Sequence, residues 1–158
     1  MNDILSFGWA DPTSLGLELS KPIQRVSIEF EPHGKPASLT LWRQDGTGLR
    51  LCSTMHDVAE RTEVGVLQFE RVSSAKEGEI AVEIASEFRD KIAVSKLVVQ
   101  ESGIIAESGI VLTSSNDSEI VVVAADFPYF LAIQGLLPEP YTFRPEYPLE
   151  RYSRVPLT

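Results

Sequence analysis

The sequence predicts an all-β domain, mainly antiparallel, built as a sandwich or barrel of about nine short strands. Three observations carry this expectation. Nearly every apolar run is short and β-branched, turn residues recur about every ten positions, and no stretch holds a helical period long enough for strand and helix to alternate. With 158 residues, 43% of them hydrophobic, the chain is long enough to bury roughly 70% of its unfolded surface in one domain, taken as residues 1–158.

Taken in order, Val26, Ile28 and Phe30 alternate with Ser27, Glu29 and Glu31, the period of a half-buried strand. Pro32-His33-Gly34-Lys35-Pro36 then breaks it. Ser38 to Arg43 and Gly48 to Ser53 flank Gln44-Asp45-Gly46-Thr47, where Asp-Gly signals a hairpin. Met55 to Arg61 is expected as a single helical turn, and Val64 to Glu70 as a fourth strand. Glu79 to Phe88 fits two periods. In an extended chain Ile80, Val82, Ile84 and Phe88 face one way, while a helix would place Ile80, Ile84 and Phe88 on one stripe; a strand is the preferred reading. Lys91 to Gln100, Ile104 to Thr113 and Glu119 to Ala125 are further strands, with Ser114 to Ser118 as a loop. Ile120 to Val123 is apolar on both faces and should be a central strand. The echo of Glu101-Ser102-Gly103-Ile104 in Glu107-Ser108-Gly109-Ile110 is too short for a solenoid, and its glycines are read as bulges or bends.

The C-terminal stretch, residues 138–158, changes character. Pro138, Pro140, Pro145, Pro148 and Pro156 are interleaved with Tyr141, Phe143, Tyr147 and Tyr152. Proline fixes φ and removes a donor, so this segment should run extended, packed as a strap on the β core with its rings covered.

Twenty-three carboxylates against fourteen Lys and Arg give a net charge of −9, which argues against contacting phosphates and hence against nucleic acid. From Leu97 to Phe143 there is no Lys, Arg or His, while Glu101, Glu107, Asp117, Glu119, Asp126 and Glu139 are all negative. Together with the carboxylates between Asp57 and Asp90, these six residues are the candidate surface for a basic protein partner. Carboxylates also simply keep small domains apart.

No apolar run approaches the about 20 residues of a membrane span, so no membrane partner is expected. Met1 to Ser20 carries Asp3 and Asp11 before any basic residue and lacks the apolar stretch of a signal peptide, and Cys52 is the single cysteine. These features point to the cytoplasm.

Catalytic signatures are sparse. The sequence contains no Gly-rich phosphate loop, no His-Glu-x-x-His, no Cys-x-x-Cys and no Gly-x-Ser-x-Gly, and no cofactor or metal is expected. Of the two histidines, His33 sits in a turn. His56 has the richer surroundings: were Met55 to Glu63 helical, His56, Glu60 and Glu63 would share a face as an acid/base or metal cluster. Cys52 lies in an apolar run, where a thiol behaves as a small hydrophobe. Glu79, Glu83 and Glu87 suit either paired acid/base work or a solvated strand face. Trp9, Trp42, Phe127, Tyr129 and Phe130 suit either a pocket or a core.

Two function classes follow. The first is a non-enzymatic acidic interaction protein for a protein partner, an inhibitor or immunity-type protein for a basic target. The alternative is a small-molecule-binding β-barrel, or an enzyme using a Glu/Tyr/Arg pocket. A closed barrel with a cavity of about 300 Å³ or more would favour the second class, and a solid core with an acidic patch the first.

Overall fold

The computed structural model describes residues 3–9, 11, 13–137 and 141–157. In chain order its elements are β1 (Asp3–Leu5), the short helix α1 (Leu15–Leu19), β2 (Arg25–Phe30), β3 (Pro36–Trp42), β4 (Gly48–Ala59), β5 (Thr62–Val72), β6 (Glu79–Val82), a 3₁₀ turn (Ser86–Arg89), β7 (Ile92–Glu101), β8 (Ile104–Ser114), β9 (Glu119–Ala124), β10 (Leu131–Gln134), a second 3₁₀ turn (Leu149–Arg151) and β11 (Ser153–Pro156). The strands form two sheets ordered β5-β4-β3-β2-β6 and β10-β9-β8-β7-β11, with β1 added in parallel beside the start of β8. Neither sheet closes on itself, so the architecture is an antiparallel sandwich and not a barrel. None of the described helices is long and apolar enough to cross a membrane.

Side-chain alternation divides the interior in two. Val26, Ile28, Leu39, Leu41, Leu49 and Leu51 of the first sheet meet Val94, Ile110, Leu112, Ile120, Val122 and Ile133 of the second. Val111, Val121 and Val123 point the other way and pack with Leu97, Val99, Val64 and Val66 beneath Tyr152, with Phe143, Tyr147 and Leu149 at the margin. Strand β9 is therefore apolar on both faces because both are covered, and it is central, between β8 and β10. The expected strap is present over the described part of residues 138–158: it covers the outer face of the second sheet and ends as β11 on β7. Pro138 and Pro140 lie outside the described residues.

Three local expectations are corrected. Met55 to Arg61 is not a helical turn. Strand β4 runs on to Ala59 and pairs with β5 almost to the tip, where Arg61 turns the chain at φ 60°. Pairing with a ready partner strand overrides the polar composition that suggested a helix. Nor is Glu79 to Phe88 one strand. It is β6, limited to the four residues that pair with β2, followed by a 3₁₀ turn. Ile80 is 56% exposed at the sheet margin and Phe88 2% exposed. Finally, Ser102 and Gly103 take φ of 52° and 78° and join β7 to β8 as a two-residue hairpin turn, a conformation that favours glycine. For the second glycine the expectation holds: Gly109 adjoins a bulge at Ser108, between the pairs Leu97 with Gly109 and Val98 with Glu107.

The outer face of the first sheet buries polar groups. The Glu79 carboxylate, 1% exposed, accepts hydrogen bonds from Thr40 Oγ1 at 2.9 Å and Ser27 Oγ at 3.3 Å, and lies 3.6 Å from Arg50. Ser27 Oγ also accepts from the Trp42 indole N–H at 2.9 Å, and Arg25 lies over the Trp42 ring. This network accounts for Trp42 and Glu79 as structural residues.

Candidate functional site

The six carboxylates of the Leu97–Phe143 stretch do not form one uncompensated field. Glu107, 7% exposed, accepts from the Phe7 amide at 2.8 Å and is paired with Lys96. Glu101 meets Arg151 at 3.2 Å, and Asp126 meets Arg144 at 3.8 Å. Glu119 is held by both guanidinium nitrogens of Arg154, at 2.6 and 3.1 Å, and this contact keeps its carboxyl below the usual range. Asp117 is exposed in the Ser114–Ser118 loop at φ 67°, and Glu139 lies outside the described residues. Three of the neutralising cations, Arg144, Arg151 and Arg154, belong to the strap. Counting charge along the chain could not see them, because they lie beyond Phe143 and arrive through space.

His56, Glu60 and Glu63 are not brought together. His56 stands opposite Val64, while the adjacent Asp57 stands opposite Glu63. Successive residues of a strand point to opposite faces, so the imidazole and the Glu63 carboxylate lie on different sides of the hairpin. The His56 ring instead lies 3.2 Å from Thr54 Oγ1. Among the described residues no three His, Cys, Asp or Glu side chains are placed to hold a metal ion.

Carboxylates do accumulate at this end of the molecule, in a different set. Asp57 and Glu63 are a directly opposed like-charge pair, with Glu60 exposed at the tip. The strap adds Glu146, whose Oε1 accepts from the Gly65 amide at 3.0 Å. Burial, helped by the neighbouring charges of Glu101 and Glu63, pushes its carboxyl up to about 7 against that hydrogen bond. Tyr147 beside it is pushed up to about 12, by burial first and then by Glu146 and Glu101. Glu146 escaped the sequence reading, since it stands between Pro145 and Tyr147 in a segment defined by proline and aromatic residues. Two residues from Glu63 on the same strand, its partner Gly65 was the available hint.

At the same end of the sandwich, between the β2–β3 turn and the strap, lies an open cleft of about 690 Å³. Its walls come from the β2–β3 turn, the 126–130 loop and the strap, and its apolar lining includes Phe30, Phe130, Leu131 and Leu137. Lys35 sits over the Phe127 ring, 3.8 Å from its centroid, and Tyr141 accepts the Ile133 amide at 2.9 Å. Phe127 is 50% and Tyr129 60% exposed. The loop holds Tyr129 at φ 68°, behind Pro128, in a turn closed by the Phe130 amide on the Phe127 carbonyl at 3.3 Å. That position suits glycine, and a bulky residue there costs about 1–3 kcal/mol, strain of the kind that gathers at binding sites.

The remaining candidates have structural surroundings. Burial first, and then Glu70, pushes the Cys52 thiol up, away from the thiolate a nucleophile needs. Trp9 donates to Ser14 Oγ at 3.1 Å. Glu83 is exposed, and Glu87 accepts from Ser118 Oγ at 3.0 Å in the 3₁₀ turn, so Glu79, Glu83 and Glu87 do not share one strand. His33 is the exception: it is exposed in the β2–β3 turn and lines the cleft. Comparison with known proteins finds no family model that matches the chain, no curated protein that matches it and no solved structure that matches it.

Proposed function

We propose that this chain is a non-enzymatic, acidic interaction protein of the cytoplasm that binds a basic protein, in an inhibitor or immunity-type role, through the outer end of the β4–β5 hairpin. The observation that supports the reading is the facing pair Asp57 and Glu63, with Glu60 at the tip and Glu146 behind. Opposed like charges across a hairpin destabilise it by roughly 0.2–1 kcal/mol. A Lys or Arg side chain from a partner, inserted between them, converts that repulsion into two favourable contacts and speeds encounter at low salt. An open sandwich of two sheets also fits this class better than a closed ligand-holding barrel does.

The test is affinity capture from the source cell extract at low and moderate salt, with wild type and a Glu60→Lys/Glu63→Lys variant run side by side. The expected result is one basic protein held by wild type, released as salt rises and not held by the variant. Capture of the same proteins by both baits would overturn the assignment.

A further inference from the structure

The cleft between the β2–β3 turn, the 126–130 loop and the strap has the composition of a ligand site, and its charge runs against that of the whole chain. Its volume of about 690 Å³ falls within the 300–1,000 Å³ of small-molecule pockets, and a mostly apolar lining with few polar groups is the usual pattern. The polar groups present are cationic or donating. Lys35 and Arg144 line the cleft, and among the described lining residues the one carboxylate is Asp126, which Arg144 already meets at 3.8 Å. Among the described residues Lys35 has no carboxylate within ion-pair distance; its ammonium rests on the Phe127 ring. A cation–π contact of an exposed lysine is weak and yields readily to an anion.

Deeper in, the Tyr141 hydroxyl accepts the Ile133 amide and keeps its own proton free to donate. That amide is available for a sheet-topology reason. The Ala125 amide donates to the Phe130 carbonyl at 2.9 Å, and by the alternation of an antiparallel pair Ala132 and Gln134 also bond inward to β9. Leu131 and Ile133 present their amides to the open edge of β10, which no described strand covers. The cleft thus has apolar walls, a hydroxyl donor and, among the described residues, an ammonium that makes no ion pair, on a protein of net charge −9.

We propose that this cleft binds a small amphipathic anion, an apolar or aromatic body seated against Phe30, Phe130, Leu131 and Leu137 with one carboxylate at Lys35 and Arg144. The cleft lies at the same end as the β4–β5 hairpin but is not lined by Asp57, Glu60, Glu63 or Glu146, and it is tested by different residues, so either assignment stands or falls without the other.

The experiment is titration calorimetry of the full chain with decanoate, decanol and decyltrimethylammonium. The expected result is saturable one-to-one uptake of decanoate, with the neutral alcohol weaker by about tenfold or more and the cation weaker still. Lys35→Gln, at an exposed residue that makes no ion pair, should weaken decanoate by about tenfold and leave decanol unchanged. Thr142→Trp, at an exposed wall position, should fill the cleft and abolish uptake of both. No saturable uptake, equal affinity for the three probes, or decanoate binding that survives both variants would overturn the proposal. So would uptake of an extended apolar peptide with acetylated and amidated ends as tight as that of decanoate, which would make the β10 edge a strand-addition site instead.

Discussion

Glu146→Gln should stabilise the protein above neutral pH and do little below pH 5. The Glu146 carboxyl is raised from 4.5 to about 7, through burial and the charges of Glu101 and Glu63. Between these two values the folded protein holds a proton that the unfolded chain has released. The stability linked to this group is therefore complete below about pH 4.5 and is lost as pH rises through about 7. At about 1.4 kcal/mol per pH unit the upper bound of that loss is about 3 kcal/mol. Glu146 is half-buried, and screening by solvent reduces the expected value to about 1–2 kcal/mol. Glutamine keeps the oxygen that accepts from the Gly65 amide and never ionises, so it reproduces the protonated state at every pH. Urea denaturation of both proteins at about pH 5 and about pH 8.5 should give curves that nearly coincide at the lower pH and a variant more stable by about 1–2 kcal/mol at the higher. The same difference at both pH values, or a wild type that gains relative stability at high pH, would refute the argument.

Gly65→Ala places a Cβ 2.4 Å from the Ala124 Cβ and 3.2 Å from Ser53 Oγ; because backbone must move, we expect a loss of about 1–3 kcal/mol, and an unchanged urea midpoint would show that the strands are not in close contact. Tyr152→Ala should cost about 3–5 kcal/mol through the lost ring, whereas Tyr152→Phe, losing only the hydroxyl that accepts from the Tyr147 amide at 3.2 Å, should cost about 1 kcal/mol; equal effects would mean that the ring is not buried. Glu79→Ala removes the buried acceptor of Thr40 and Ser27 and leaves Arg50 with the exposed Glu70 as its remaining carboxylate, for an expected loss of about 1–3 kcal/mol; a change below about 0.5 kcal/mol, the size of an ordinary surface substitution, would contradict the network.

The strands were legible where neighbouring residues alone decide the conformation. Val26 to Phe30 alternates because one face is core and the other is not, and Asp45-Gly46 turns the chain because its backbone tolerates the angles required. The readings that failed depended on distant partners. Met55 to Ala59 is extended because β5 offers a matching edge, and β6 stops at Val82 where its pairing with β2 ends. Charge shows the same limit: Glu119 and Arg154 are far apart in sequence and in contact in the fold. The cleft was half legible, since Phe127, Tyr129 and Phe130 stood out as aromatic. Their association with Lys35 and Tyr141 requires the β2–β3 turn, the 126–130 loop and the strap to meet, and no local pattern encodes that.

The strap has a consequence for biosynthesis. A chain emerging from the ribosome exposes the second sheet when β5, a part of its described outer cover, is already made but the strap does not yet exist. At about 5–20 residues per second, roughly 1–4 s separate the synthesis of Ala125 from that of Tyr147. Throughout that interval Val99, Val111, Val121 and Val123, which are buried in the finished domain, form a row of apolar side chains on a nascent sheet. Messenger features that slow translation just before the strap codons would lengthen this exposure, and chaperone capture during synthesis would fall on these residues.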